Sequence, residues 1–122
     1  MCIRDSNETK RIVEENTLAY VIKDGFAVTE HHSLIIPKRH AKDYFELTQA
    51  EINAVNQLIL SQKSHLDKKD KAIEGYNVGM NCGEVAGQTI FHCHIHLIPR
   101  RKGDVKEPRG GIRNIIPGKG LY

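Results

Sequence analysis

The sequence predicts an α+β domain: a five-stranded antiparallel sheet, one long helix and a short helical turn. Three observations predict it. Short apolar segments rich in Val, Ile, Leu and Tyr gather before residue 40, more of them follow residue 74, and a strongly signalled helix lies between the two groups. Strand runs set apart from a helix favour α+β over the alternating pattern of a parallel sheet.

The elements follow in order. "RIVEENTLAYVI", residues 11 to 22, reads as two strands about a turn at Asn16, with β-formers flanking polar turn residues. Asp24-Gly25 breaks that pattern. "SLIIP", Ser33 to Pro37, is a short apolar run ended by a proline, which suits a third, buried strand. "KRHAKDYFEL" is a connection with one helical turn. Thr48-Gln-Ala-Glu51 is a capping box, in which hydroxyl and carboxylate each satisfy an orphaned backbone N–H, so a helix starts there. Ile52, Val55, Leu58, Ile59 and Leu66 keep near the helical period to about Asp67, and Lys63, Lys68, Lys69 and Lys71 complement the dipole at the C-terminal end. In "EGYNVGMN", Tyr76, Val78 and Met80 alternate with polar residues and glycine as a half-buried fourth strand. The run "HCHIHLIPR", residues 92 to 100, is the fifth. Residues 101 to 122, with five glycines, read as irregular.

The length of 122 residues fits one domain with a modest core. No apolar run approaches the roughly 18 residues of a membrane span, and no export signal opens the chain, so a cytoplasmic protein is expected. Cys2, Cys82 and Cys93 show no CxxC spacing, which argues for reduced thiols over a disulfide framework or a four-cysteine zinc site. From residue 100 onward, seven Lys or Arg stand against Asp104 and Glu107 in a chain whose overall charge is +3. That basic tail could attract a polyanion. Its only aromatic residue is Tyr122, however, and single-strand nucleic-acid binders need stacking platforms. No nucleic-acid partner is expected.

On a strand His92, His94 and His96 would share one face, while Cys93, Ile95 and Leu97 pack the other. With about 3.3 Å per residue, the outer two stand roughly 13 Å apart. All three therefore cannot reach one metal, and a metal site would need recruits such as His32 or His40 and a carboxylate. Imidazole can be neutral or protonated near neutral pH. One ring can attack phosphorus while another steadies its oxygens. His31 and His65 stand alone and read as ordinary solvated or satisfied side chains. "NCGEVAGQT", Asn81 to Thr89, combines small residues with amides and a hydroxyl, which suits close approach to a phosphate, although it is neither a Walker loop nor a GxGxxG turn.

The stretch "GQTIFHCHIHLIPR" resembles the signature of the histidine triad (HIT) superfamily. "HSLIIPKRH" and "GYNVGMNCGEVAGQT" extend the likeness to residues 10 to 116, expected to form a single HIT domain, with 117 to 122 a C-terminal tail. The resemblance implies a HIT-like fold, usually a homodimer, that binds a nucleotide through ribose and α-phosphate. It implies His94 as the nucleophile forming a covalent nucleotidyl-histidine, His96 as a phosphate contact, and His92 as support for the proton network. His32 matches a further active-site histidine and His40 a less defined position. Asp24 matches the ribose contact, and Asn81, Gly87, Gln88 and Thr89 the phosphate-side loop.

Relatives that transfer the nucleotide replace the third histidine by glutamine, so His96 favours hydrolysis. "GQT" and "PRRKGD" resemble the dinucleoside polyphosphate hydrolase branch. A nucleoside phosphoramidase and a non-catalytic nucleotide-binding signalling protein are the alternatives. The CxxC pair with which many bacterial relatives bind structural zinc is missing, so no metal and no cofactor are expected. "MCIRDS" resembles translated adaptor sequence, and residues 1 to 9 are expected to be non-native or disordered.

Overall fold

The structure, a computed structural model, describes residues 11 to 120. The expectations for residues 1 to 9, and for the last two residues of the tail, lie outside the described residues. Five strands form one antiparallel sheet: β1 (Ile12–Glu15), β2 (Ala19–Lys23), β3 (Ser33–Pro37), β4 (Ile73–Gly79) and β5 (Ile95–Arg101), in spatial order β1-β2-β3-β5-β4. The helix α1 (Gln49–Lys69) connects β3 to β4, and a 3-10 turn at Tyr44–Glu46 precedes it.

Asn16 makes the first hairpin turn, its side-chain oxygen accepting from the Leu18 and Ala19 amides at 3.1 and 2.9 Å. This is the local backbone mimicry that suits Asn to turns. The capping box is present in full: Thr48 Oγ1 accepts from the Glu51 amide, and the Glu51 carboxylate accepts from the Thr48 amide at 2.9 Å. Glu51 also takes a forked ion pair from Arg39, at 2.9 and 2.8 Å. The helix thereby starts against the segment that leaves β3.

One face of the sheet packs on α1. Val21 and Ile35 meet Val55, Leu58 and Leu66 there, joined by Cys93, Ile95 and Leu97 from the histidine run. Burying a Leu such as Leu58 contributes about 1.5–3 kcal/mol. The inward stripe of α1 differs from the apolar spacing in the sequence, because Glu51 and Gln62 occupy it too. Both are satisfied inside, Glu51 by Arg39 and Gln62 by donating to Glu14 at 2.7 Å. The opposite sheet face carries a smaller cluster of Tyr20, Ile22 and Ile36. Beside it the site is built.

The fifth strand begins later than the sequence pattern predicts. Only His96 of the three histidines lies within it, and His92 and His94 precede Ile95 in irregular backbone. The reason is loss of ladder partners. Pairing with β3 stops at Ile35↔Ile95, short of Pro37, which has no N–H to offer, and pairing with β4 stops at Gly79↔His96, where the chain turns into the loop. The segment is fixed by the Cys93 amide donating to the Ala41 carbonyl at 2.7 Å.

Candidate active site

His94 and His96 share an open region, their ring centroids 5.4 Å apart. His92 does not share it, contrary to the common face predicted from strand geometry. It is 1% exposed, its Nε2 donates to the Pro37 carbonyl at 2.8 Å, and its ring meets the edge of His40 at 5.0 Å between centroids. The irregular backbone before Ile95 breaks the alternation that a strand would have imposed.

Backbone donors and acceptors determine which ring nitrogens carry protons. The Val28 amide, an obligate donor, lies 3.1 Å from His32 Nδ1, so a neutral His32 carries its proton on Nε2. That Nε2 is 2.9 Å from His96 Nδ1 and 3.3 Å from Asp24 Oδ2. His96 Nδ1 therefore accepts, and its own proton sits on Nε2. For His94 the reverse holds. Its Nδ1 lies 2.8 Å from the His92 carbonyl, which can only accept, so the Nε2 keeps the lone pair. Two neighbouring rings thus offer opposite functions, a nucleophilic nitrogen and an N–H donor.

Burial lowers the pKa of both His32 and His96, with Asp24 opposing in each case; His94 and His32 lower His96 further. The neutral forms that the tautomer chain requires are favoured accordingly. Asp24 also caps its own loop, Oδ1 accepting from the Phe26 amide at 2.8 Å. His31 enters β3 in a left-handed conformation, φ 73, which costs a non-glycine residue about 1–2 kcal/mol. With His65 it lines a small cavity on the helix side of the sheet, away from the triad.

The loop before the triad bends through Gly83 and Gly87, at φ 98 and 99, around a 3-10 turn at Glu84–Ala86. Gly87 is there for its backbone: an added Cβ would meet only ordinary contact with Asn81, but a left-handed φ strains any other residue. Asn81 and Thr89 are exposed at the two ends of this loop. Gln88, expected on the phosphate side, is turned inward instead and is 2% exposed. Its oxygen accepts from the Gly83 amide at 2.8 Å, and its nitrogen donates to the carbonyls of Lys42 and Ile90 at 2.7 and 3.1 Å. It ties the loop to the connection after β3. Cys93, between the histidines, is buried, which pushes its thiol up to about 12 and makes it a packing residue.

Two groups among the described residues bring metal-ligand atoms together, Asp24 with His32 and His96, and Glu30 with His31 and Asp70. The first assembles the recruits that a metal would need, yet His32 Nε2 carries the proton that the Val28 amide forces on it. In the second, Asp70 already holds Arg101 at 2.8 Å. Both sets are thus already engaged by hydrogen bonds within the protein.

The histidines are legible in the sequence, and the groups that orient them are not. The Val28 amide and the Pro37, Ala41 and Lys42 carbonyls are backbone groups, and no residue type signals their placement.

A family model described as the HIT domain matches residues 5–103. The chain is 38% identical over 88 residues to an uncharacterised HIT-like protein of Mycoplasma genitalium, over 72% of this chain and 62% of that one. It therefore spans about three-fifths of that relative's length. Among solved structures, a hypothetical histidine triad nucleotide-binding protein of Sulfolobus tokodaii superposes with a TM-score of 0.75 at 29% identity, over 84% of this chain and 70% of that one. A HIT family hydrolase of Clostridium thermocellum gives 0.64 at 30% identity, over 75% and 80%.

Proposed function

The chain belongs to the HIT domain family, and from that premise we propose that it is a nucleotide hydrolase. In this reading it cleaves at the α-phosphate of dinucleoside polyphosphates or related nucleotide conjugates through a covalent nucleotidyl-histidine. The observation that carries the reading is the opposite polarity of His94 and His96, fixed by the His92 carbonyl on one side and by His32 on the other. His94 Nε2 attacks the α-phosphorus. An N–P bond forms, the bond to the bridging oxygen breaks, and that oxygen leaves with the electron pair. Positive charge develops on the His94 ring, and the His92 carbonyl accepting from Nδ1–H stabilises it. His96 donates Nε2–H to a non-bridging oxygen. Water then attacks phosphorus, the N–P bond breaks, and a nucleoside monophosphate departs.

The remaining roles follow the HIT pattern. Asp24 is the ribose contact, Asn81 and Thr89 reach the phosphate, Gly87 allows the loop's turn, and Gln88 holds that loop in place. The same covalent step would serve a phosphoramidate. A homodimer is supported by β4, a seven-residue edge strand paired on one side only among the described residues, with Val78 exposed. No helix among the described residues is long and apolar enough to cross a membrane. A cytoplasmic setting belongs to this reading, supported by free Cys82 and Cys93.

The test is release of adenosine monophosphate from diadenosine polyphosphates by the wild type and by His94→Asn. Release by the wild type with none by the variant is expected. Equal rates overturn the reading.

A further inference from the structure

A cavity of about 680 Å³ opens at the far end of β5, within the usual size of a small-molecule site. Ile95, Leu97 and Pro99 are buried against the core, so His96, Ile98 and Arg100 point to the other side of the strand in one row. Ile98 and Arg100 line the cavity, with Val28, Thr29, Asn77 and Val105 around them. Val28 joins this cavity to the triad directly, since its amide sets the His32 tautomer.

We propose that this groove receives the leaving nucleoside of a dinucleoside polyphosphate, the half that departs when His94 takes the α-phosphorus. The proposal rests on the hydrolase reading above. Three features support it. The groove continues the row that begins at His96, so a polyphosphate chain held at the histidines leads into it. Its apolar surfaces, Ile98, Val28 and Val105, suit a base, and the side chains of Val28 and Val105 are exposed for one. Its two arginines are already engaged, Arg100 forking onto Asp104 at 2.8 and 2.9 Å and donating to Asn77 at 2.6 Å, while Arg101 holds Asp70, and Glu30 adds a further carboxylate to the lining. Walls whose arginines are occupied, with a carboxylate in excess, favour an uncharged ring over the phosphates, which stay with His96. For diadenosine tetraphosphate, attack at one α-phosphorus breaks its bond to the bridging oxygen, and adenosine triphosphate leaves with that oxygen and its electron pair. The adenosine of that triphosphate is the groove's occupant.

The experiment compares kcat/KM for diadenosine tetraphosphate and for adenosine 5′-phosphoramidate, whose leaving group is too small to enter the groove. For Val105→Asp the ratio of the first to the second is expected to fall about tenfold, the scale of one lost apolar contact. A ratio unchanged from wild type overturns the groove assignment and leaves the hydrolase standing. Wild-type protein that releases no adenosine monophosphate from either substrate overturns the hydrolase reading itself. A second measurement needs no variant. With the first site saturated by adenosine monophosphate, added adenosine triphosphate should shift the methyl resonances of Ile98, Val28 and Val105, and unmoved methyls overturn the proposal.

Discussion

His32 Nε2 lies 2.9 Å from His96 Nδ1, and this contact passes the constraint of one backbone amide to the ring proposed as the phosphate contact. The Val28 N–H, at 3.1 Å, leaves His32 no choice of tautomer. In the proposed mechanism His32 is thus a positioning residue. His32→Ala is expected to lower kcat by about tenfold or more, up to the roughly hundredfold loss of a deleted oxyanion donor. His32→Gln should recover part of it, because an amide can accept from Val28 and donate to His96. Full activity in His32→Ala would contradict the relay.

The same two rings predict how stability varies with pH. Their folded pKa values lie below 6.5, chiefly through burial. Between those values and 6.5 the unfolded chain binds protons that the folded chain does not, so stability falls as pH falls. The decline begins near 6.5 and levels off once pH is below the folded values. Thermal unfolding of wild type between pH 7 and 5 should show a falling Tm, with a shallower fall in His32→Gln. A Tm that rises over this window would refute the assignment.

Gln88→Ala removes the amide that bonds Gly83, Lys42 and Ile90. Leaving buried polar groups unpaired costs about 1–3 kcal/mol each. The damage is local to the loop, so KM for a nucleotide substrate should rise more than kcat falls. Hydrogen exchange at the Gly83 amide should quicken relative to the strands. An unchanged KM together with unchanged exchange would show that the loop holds without Gln88.

Arg39 and Glu51 lock the helix start to the exit of β3. The Arg39 fork, the main cause, holds the Glu51 carboxylate down to about 2, from an ordinary 4.5. Its stabilisation is present above pH 4.5 and is lost as pH falls toward 2. Because the Arg39 side chain is half exposed, the worth of the pair is discounted for solvent. Glu51→Gln at pH 7 is expected to cost about 1–2 kcal/mol, read from chemical denaturation, with the difference from wild type shrinking at pH 3. A constant difference across that range would remove the ion pair from the account.

Much of the architecture is legible in the sequence. Thr48 and Glu51 mark the helix start because a capping box is a local device, satisfied within four residues. Asn16 marks the hairpin for the same reason, and the alternation of Ile95 and Leu97 set the buried side of β5. His94 and His96 stood out by type and spacing. What only the tertiary structure decided is how those residues are wired. His92 left the shared face because β3 ends at Pro37 and the ladder runs out before the triad begins. Gln88 turned inward because the Lys42 and Ile90 carbonyls offered it partners. The opposite polarity of His94 and His96 depends on the His92 carbonyl and, through His32, on the Val28 amide. Every residue but proline carries such an amide, and every residue carries a carbonyl. Their presence in a sequence therefore says nothing, and only folding brings a particular one within hydrogen-bonding distance of a particular ring.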